Sequence, residues 1–170
     1  GSGAIFVSNT YQPSSNPGPA AAHFAEVEVD TLTGLCRLTA YTAAHDVGKA
    51  INPELCRGQV GSALQQGMGL VFCEQVKIDP KTGQPLNATL QRYHVARAYD
   101  FPHIETVLVE NGSPEGPYGA KSIGESCFGP VAPALLAAVN DALQTDLTTL
   151  PLTPEKIIRA VQEKRKEASL

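Results

Sequence analysis

The stretch Phe24-Ala25-Glu26-Val27-Glu28-Val29-Asp30-Thr31-Leu32-Thr33-Gly34-Leu35-Cys36-Arg37-Leu38-Thr39-Ala40-Tyr41 decides the architecture. From Phe24 to Asp30 side chains alternate, with Ala25, Val27 and Val29 on one side and Phe24, Glu26, Glu28 and Asp30 on the other. That two-residue period is the mark of a half-buried strand. Asp30 to Gly34 is rich in turn-forming residues, and Leu35 to Tyr41 resumes a strand-like run, so the two segments predict a hairpin with a longer loop.

Downstream the period changes. At Asn52-Pro53-Glu54 an Asn suited to capping stands before a Pro suited to the first helical position, with an acid in the first turn. The helix beginning there carries Val60, Ala63, Leu64, Gly67, Met68 and Val71 on one face and Gln59, Ser62, Gln65 and Gln66 on the other. Gly58, Gly61, Gly67 and Gly69 each cost it about 0.5–1 kcal/mol relative to Ala, so close packing against backbone or a bulky ligand is expected to compensate. Glu74–Asp79 and Leu90–Tyr93 flank a turn-rich stretch and read as a second reversal. Residues 104–110 alternate as an inner strand. A loop with Gly112, Gly116, Gly119 and Gly124 leads into an apolar helix through Val131, Leu135, Val139 and Leu143. Thr153-Pro154-Glu155 opens a last helix, with Leu152 and Ile157 as a hydrophobic staple. Interleaved strands, hairpins and helices predict an α+β fold with a mixed sheet and packed helices.

Bulk properties narrow the function. The 170 residues suit one unit, with residues 1–20 an irregular lead-in and 163–170 a charged, fraying tail. Thirteen basic against 17 acidic residues give a net charge of −4, which offers DNA or an acidic membrane no general attraction. No apolar run nears the roughly 20 residues of a bilayer span, and the first ten residues lack the halves of a signal peptide, so a cytoplasmic location is expected. Cys36, Cys56, Cys73 and Cys127 are scattered and form no metal-ligand spacing, so no metal ligand is assigned and no iron–sulfur cluster can be built here.

The stretch Gly116-Pro117-Tyr118-Gly119-Ala120-Lys121-Ser122-Ile123-Gly124-Glu125 joins strand to helix through a glycine-rich loop able to surround a polar group. Taken alone, it also fits an ordinary surface connection. A phosphate-binding P-loop fails on spacing, because Ala120 separates Gly119 from Lys121. A thiol nucleophile at Cys127 served by His23, His45, His94 or His103 lacks the sequence context of a cysteine enzyme.

Three blocks in order resemble the molybdenum hydroxylases, the xanthine dehydrogenase and aldehyde oxidase family. His45-Asp46-Val47-Gly48-Lys49-Ala50-Ile51-Asn52-Pro53 is similar to the family's Asp-x-Gly-x-x-Asn-Pro block. Gly58-Gln59-Val60-Gly61-Ser62-Ala63-Leu64-Gln65-Gln66-Gly67 is similar to its glycine–glutamine block. Gly119 to Glu125 is similar to its glycine–lysine–glycine–glutamate signature, and the helix from Leu152 also resembles the family's closing helix. The likeness covers most of residues 24–161.

The resemblance implies the C-terminal part of a molybdopterin-binding domain, acting in hydroxylation of an N-heteroaromatic, purine-like or aldehyde carbon with oxygen from water. It implies Glu125 as catalytic base, taking a proton from a water-derived hydroxyl on molybdenum. Gln59, Lys121, Ser122, Ile123 and Gly124 would bind the molybdenum cofactor, whether molybdopterin itself or its cytosine dinucleotide form. FAD and 2Fe-2S clusters are expected on partner chains or domains, and the rest of the molybdenum subunit on another polypeptide. A small-molecule substrate completes the expected partners, with no nucleic acid and no membrane. His45, Asp46 and Asn52 are read as holding their turn and helix cap. Ser126-Cys127-Phe128 after Glu125 departs from the paired prolines of the animal purine oxidases, so purine specificity does not carry over. A non-catalytic assembly piece with the same fold is the alternative reading.

Overall fold

The computed structural model describes residues 3–16 and 18–168. Its regular elements run β1 (Ala21–Val29), β2 (Cys36–Asp46), α1 (Pro53–Met68), β3 (Ile104–Val109), α2 (Gly124–Phe128), α3 (Val131–Leu143) and α4 (Pro154–Glu167). The sheet order is β1-β2-β3, with β1 antiparallel and β3 parallel to β2. The expected mixed sheet with packed helices is therefore the observed fold.

The hairpin forms where the alternation placed it, but β2 runs five residues beyond Tyr41 to Asp46. Asp30 closes the turn by accepting from the N–H groups of Leu32 and Thr33, and Gly34 adopts a positive φ of 73°. A bulge interrupts the pairing between Glu26 and Val27, and Thr39 Oγ1 donates to the Glu26 carbonyl there. α3 packs on β1, while α1 packs on α3 and approaches β3. Helices and sheet enclose Leu38, Tyr41, Ala43, Val60, Leu64, Val71, Val131, Leu135, Val139 and Ile157 in one core.

β3 lies at the sheet edge among the described residues, whereas its alternation was read as an inner strand. The intermediate–exposed pattern of Ile104 to Val109 gives the reason: only one of its faces meets the core. Residues 74–93 form no paired strands. Their reversal is a turn at Asp79–Gly83, with a single bridge between Ile78 and Pro85. α4 continues through the charged stretch to Glu167, with Leu152 and Ile157 buried at its start; Ser169 and Leu170 lie outside the described residues. No single helix among the described residues is long and apolar enough to cross a membrane.

α1 begins as its sequence dictates, with Asn52 Oδ1 accepting from the Leu55 N–H at 3.1 Å. All six residues of its expected apolar face are buried. Beyond Met68 the helix widens into a π-turn over Gly69–Cys73. Its glycines divide into two kinds. A Cβ on Gly67 would run into both Cγ1 and Cβ of the buried Val131, whereas a Cβ on Gly58 or Gly61 would meet nothing within 4 Å.

That division predicts opposite signs for one substitution. Overpacking against β-branched Val131 costs Gly67→Ala about 1–3 kcal/mol, against a helix-propensity gain of about 0.5–1 kcal/mol, so unfolding in urea should show a net loss. Gly58→Ala, with space around it, should gain. Equal gains in both variants would contradict the close helix contact.

Candidate functional site

The loop before α2 is built against the end of β2. Gly48, at φ 64°, passes so near the Gly119 carbonyl that a Cβ there would collide with it. Val47 donates to the Val109 carbonyl at 3.0 Å, and Gly112 donates to the Gly48 carbonyl at 2.8 Å. Tyr118 (φ 55°) and Gly119 (φ 83°) turn the chain, and the Lys121 N–H then donates to the Val47 carbonyl at 2.8 Å. Lys121 Nζ pairs with Asp46 Oδ2 at 2.7 Å, and both side chains are largely buried. The second oxygen, Asp46 Oδ1, accepts from the Gly48 N–H at 3.0 Å. These bonds, led by the one from Lys121, hold the Asp46 carboxyl below the usual carboxylate range. Nearby, Glu110 accepts from the Ala50 N–H and pairs with Lys49, so its carboxyl is lowered too.

α2 packs directly on α1. Gln59 Oε1 stands 3.9 Å from where a Cβ on Gly124 would lie, which brings the expected cofactor amide beside the residue preceding the expected base. Gln59 and Glu125 are both exposed, and neither side chain makes a hydrogen bond or ion pair among the described residues. Among those residues nothing accepts from the N–H groups of Ser122, Ile123 or Gly124 either. Lys121 differs: its ammonium and its N–H are both spent within the chain. The amides of Gly119 and Ala120 likewise turn back on Gly116 and Pro117, so they do not converge as a P-loop's would.

Beneath α2 lies a polar chain that joins Tyr41, His23, His45 and Cys127. Tyr41 Oη is 2.6 Å from His23 Nδ1, His23 Nε2 is 2.8 Å from His45 Nε2, and His45 Nδ1 is 4.0 Å from Cys127 Sγ. Two facing Nε2 atoms at that distance hold one proton between them, so the tautomers of the pair are linked. Burial, then the neighbouring His45, pushes His23 down to about 4; burial also lowers His45. Burial pushes the Cys127 thiol up to about 11, and its side chain has no exposure, which removes it as a nucleophile. Asp46 and Asn52 do hold turn and cap as expected, but His45 is 1% exposed and lies in this chain instead. The signal was available in the four-residue spacing, two strand periods, that puts Tyr41 and His45 on the same inward face of β2.

A cleft of about 1150 Å³ lies elsewhere, between the turn end of the β1–β2 hairpin and residues 94–103, lined by Arg37, Phe72, Cys73, Tyr99 and Phe101. None of Gln59, Lys121, Ser122, Ile123, Gly124 or Glu125 borders it.

Comparison with known proteins gives the family. A family model described as the molybdopterin cofactor-binding domain matches residues 4–102. The chain belongs to the molybdenum hydroxylase family, within its molybdopterin cofactor-binding domain. It is 36% identical to the probable hypoxanthine oxidase XdhD of Escherichia coli K12 over 96% of the chain, beyond the end of the family match, and 34% identical to that organism's putative xanthine dehydrogenase molybdenum-binding subunit XdhA over 91%. Among solved structures, quinoline 2-oxidoreductase from Pseudomonas putida 86 superposes with a TM-score of 0.78 at 38% identity over 83% of the chain. The chain spans 17%, 21% and 18% of those three proteins.

The histidine pair sets an acid limit on stability. Its folded-state pKa values lie below the unfolded value near 6.5, so on acidification the unfolded chain binds protons that the folded chain refuses. Stability should therefore fall as pH drops from about 6.5 towards 4, by up to about 1.4 kcal/mol per pH unit for each proton. Urea midpoints at pH 7 and pH 5 measure this, and His23→Gln should flatten the difference. A wild-type midpoint that does not move over that interval would contradict the buried neutral pair.

Proposed function

We propose that this chain completes the molybdenum site of a hydroxylase, with Glu125 as its base. The observation that carries the reading is the meeting of α1 and α2, where Gln59, Gly124 and Glu125 come together with their polar groups unspent. The fit is chemical as well as steric. Gln59 offers a donor and an acceptor without bringing a charge into a site that burial would make apolar. Gly58 and Gly61 flank it with open space where side chains would stand, room for a rigid planar group to approach the helix backbone. Ser122, Ile123 and Gly124 present successive free amides. Lys121 contributes through the loop it anchors, since its own polar groups are committed.

When bound, the molybdenum cofactor supplies the two-electron oxidation of the substrate carbon, with water as the source of oxygen. Glu125 takes up the proton that water releases as its oxygen becomes nucleophilic. Glu125 stands exposed in the first turn of α2 with no partner for its carboxylate among the described residues, so that side chain is open to accept that proton. Net reaction converts C–H and water into C–OH, two protons and two electrons. An N-heteroaromatic or aldehyde carbon is the proposed substrate, by analogy with relatives named as hypoxanthine oxidase, quinoline 2-oxidoreductase and aldehyde oxidoreductase. The remaining polypeptide of the molybdenum subunit, with FAD and iron–sulfur units to carry electrons away, completes the proposed assembly. Exposed apolar side chains near this face, among them Ile51, Leu55 and Phe128, suit coverage by that polypeptide.

Two measurements on the assembled enzyme test the reading. Glu125→Gln should retain molybdenum, near one per chain, and lose about 10²–10⁴-fold in kcat; unchanged turnover would contradict the base. Gly61→Ala, harmless to the fold, should lower the molybdenum content, and full occupancy in that variant would remove the cofactor from this stretch of α1.

A further inference from the structure

α2 has five residues and no side-chain cap at its start, too short to hold itself in place by helix propensity. The position of Glu125 must therefore be imposed from outside the helix. Among the neighbouring elements, the last two residues of β2 reach the chain on either side of Glu125, and they point to opposite sides of the strand. His45 turns inward to Cys127, two residues after Glu125. Asp46 turns the other way to Lys121, four residues before it.

We propose that Asp46 and Lys121 are positioning residues for Glu125, their ion pair fixing the register of loop 119–124 on the end of β2. Asp46 suits this task because its two oxygens serve different segments. Oδ1 accepts from Gly48 in its own turn and Oδ2 from Lys121 across the junction, so the carboxylate cannot swing without breaking one of them. Lys121 is held at both ends, by its N–H on Val47 and its ammonium on Asp46. With both side chains largely buried, the pair is poorly screened by solvent. Neither residue touches substrate on this view; each acts through the place it gives the carboxylate.

The proposal rests on Glu125 being the base, so the test runs Glu125→Gln in parallel, on the assembled enzyme with its full molybdenum subunit. Asp46→Asn keeps the shape and the acceptor for Gly48 while weakening the hold on Lys121. It should lower kcat about 10–100-fold, the scale expected when a supporting shell lets a reacting group drift by about an ångström. KM and molybdenum content should stay near the parent values. Lys121→Met should show the same loss, and the double variant no more than either single one. Amide hydrogen exchange should speed up in residues 119–127 and nowhere else. If Lys121→Met fails to assemble, Lys121→Arg, which keeps the charge with altered geometry, should show the same local exchange change and a smaller kcat loss. Normal kcat and exchange in Asp46→Asn, with Glu125→Gln still crippled, would overturn the positioning role alone. Loss of molybdenum in proportion to activity would overturn it in favour of a cofactor-holding role. If Glu125→Gln is fully active, the base itself has fallen and the positioning claim with it.

Discussion

The carboxylate of Asp46 accepts from its own turn and from a lysine 75 residues away, and the arrangement of the site depends on those two hydrogen bonds. It joins the end of a central strand to a loop that has no sheet partner of its own. Without the junction, the glycine-rich stretch would lose its side-chain tie to the sheet, leaving the Lys121 N–H on Val47 and the buried Cys127 to hold the short helix after it. A buried pair of opposite charges contributes little net stability, because desolvation offsets attraction. Its contribution here is a direct tie between the loop and the end of β2.

Glycine serves three separate needs in this chain. At Gly48 it permits a positive φ where two loops touch backbone to backbone. At Gly67 it lets two helices close on each other across Val131. At Gly58 and Gly61 neither need exists within the chain, and the residues leave an open strip beside Gln59. Only the last kind matches the room that the proposed cofactor contact needs. The cleft of about 1150 Å³, by contrast, belongs to a different face and carries none of these features, so volume is a poor guide to the chemistry here.

The histidines under α2 link the site to the sheet in another way. A Tyr41–His23–His45 chain in the interior must stay neutral, and its order depends on one shared proton. Cys127 closes the inner end of that chain, which explains a cysteine next to the proposed base that is itself unreactive. The network ties β1 and β2 to the underside of α2, while Lys121 ties the loop from above.

Much of the architecture was legible because it depends on local chemistry. Alternation from Ala25 to Val29, the Asn-Pro-Glu start of α1 and the Leu152–Ile157 staple each follow from neighbours a few residues apart, and period and capping act at that range. The ordered blocks also named Gln59 and Gly124, and the fold puts the Gln59 amide oxygen 3.9 Å from where a Gly124 side chain would begin. Tertiary structure decided the rest. That β3 lies at an edge and not within the sheet, that Lys121 spends its charge on Asp46, and that His45 looks inward at His23 are all matters of partners far along the chain. Alternation reveals which face of a strand is buried, but not what lies on the other side of it. A charged side chain in a glycine loop likewise reads as ligand-binding until a carboxylate from a distant strand is found to have claimed it.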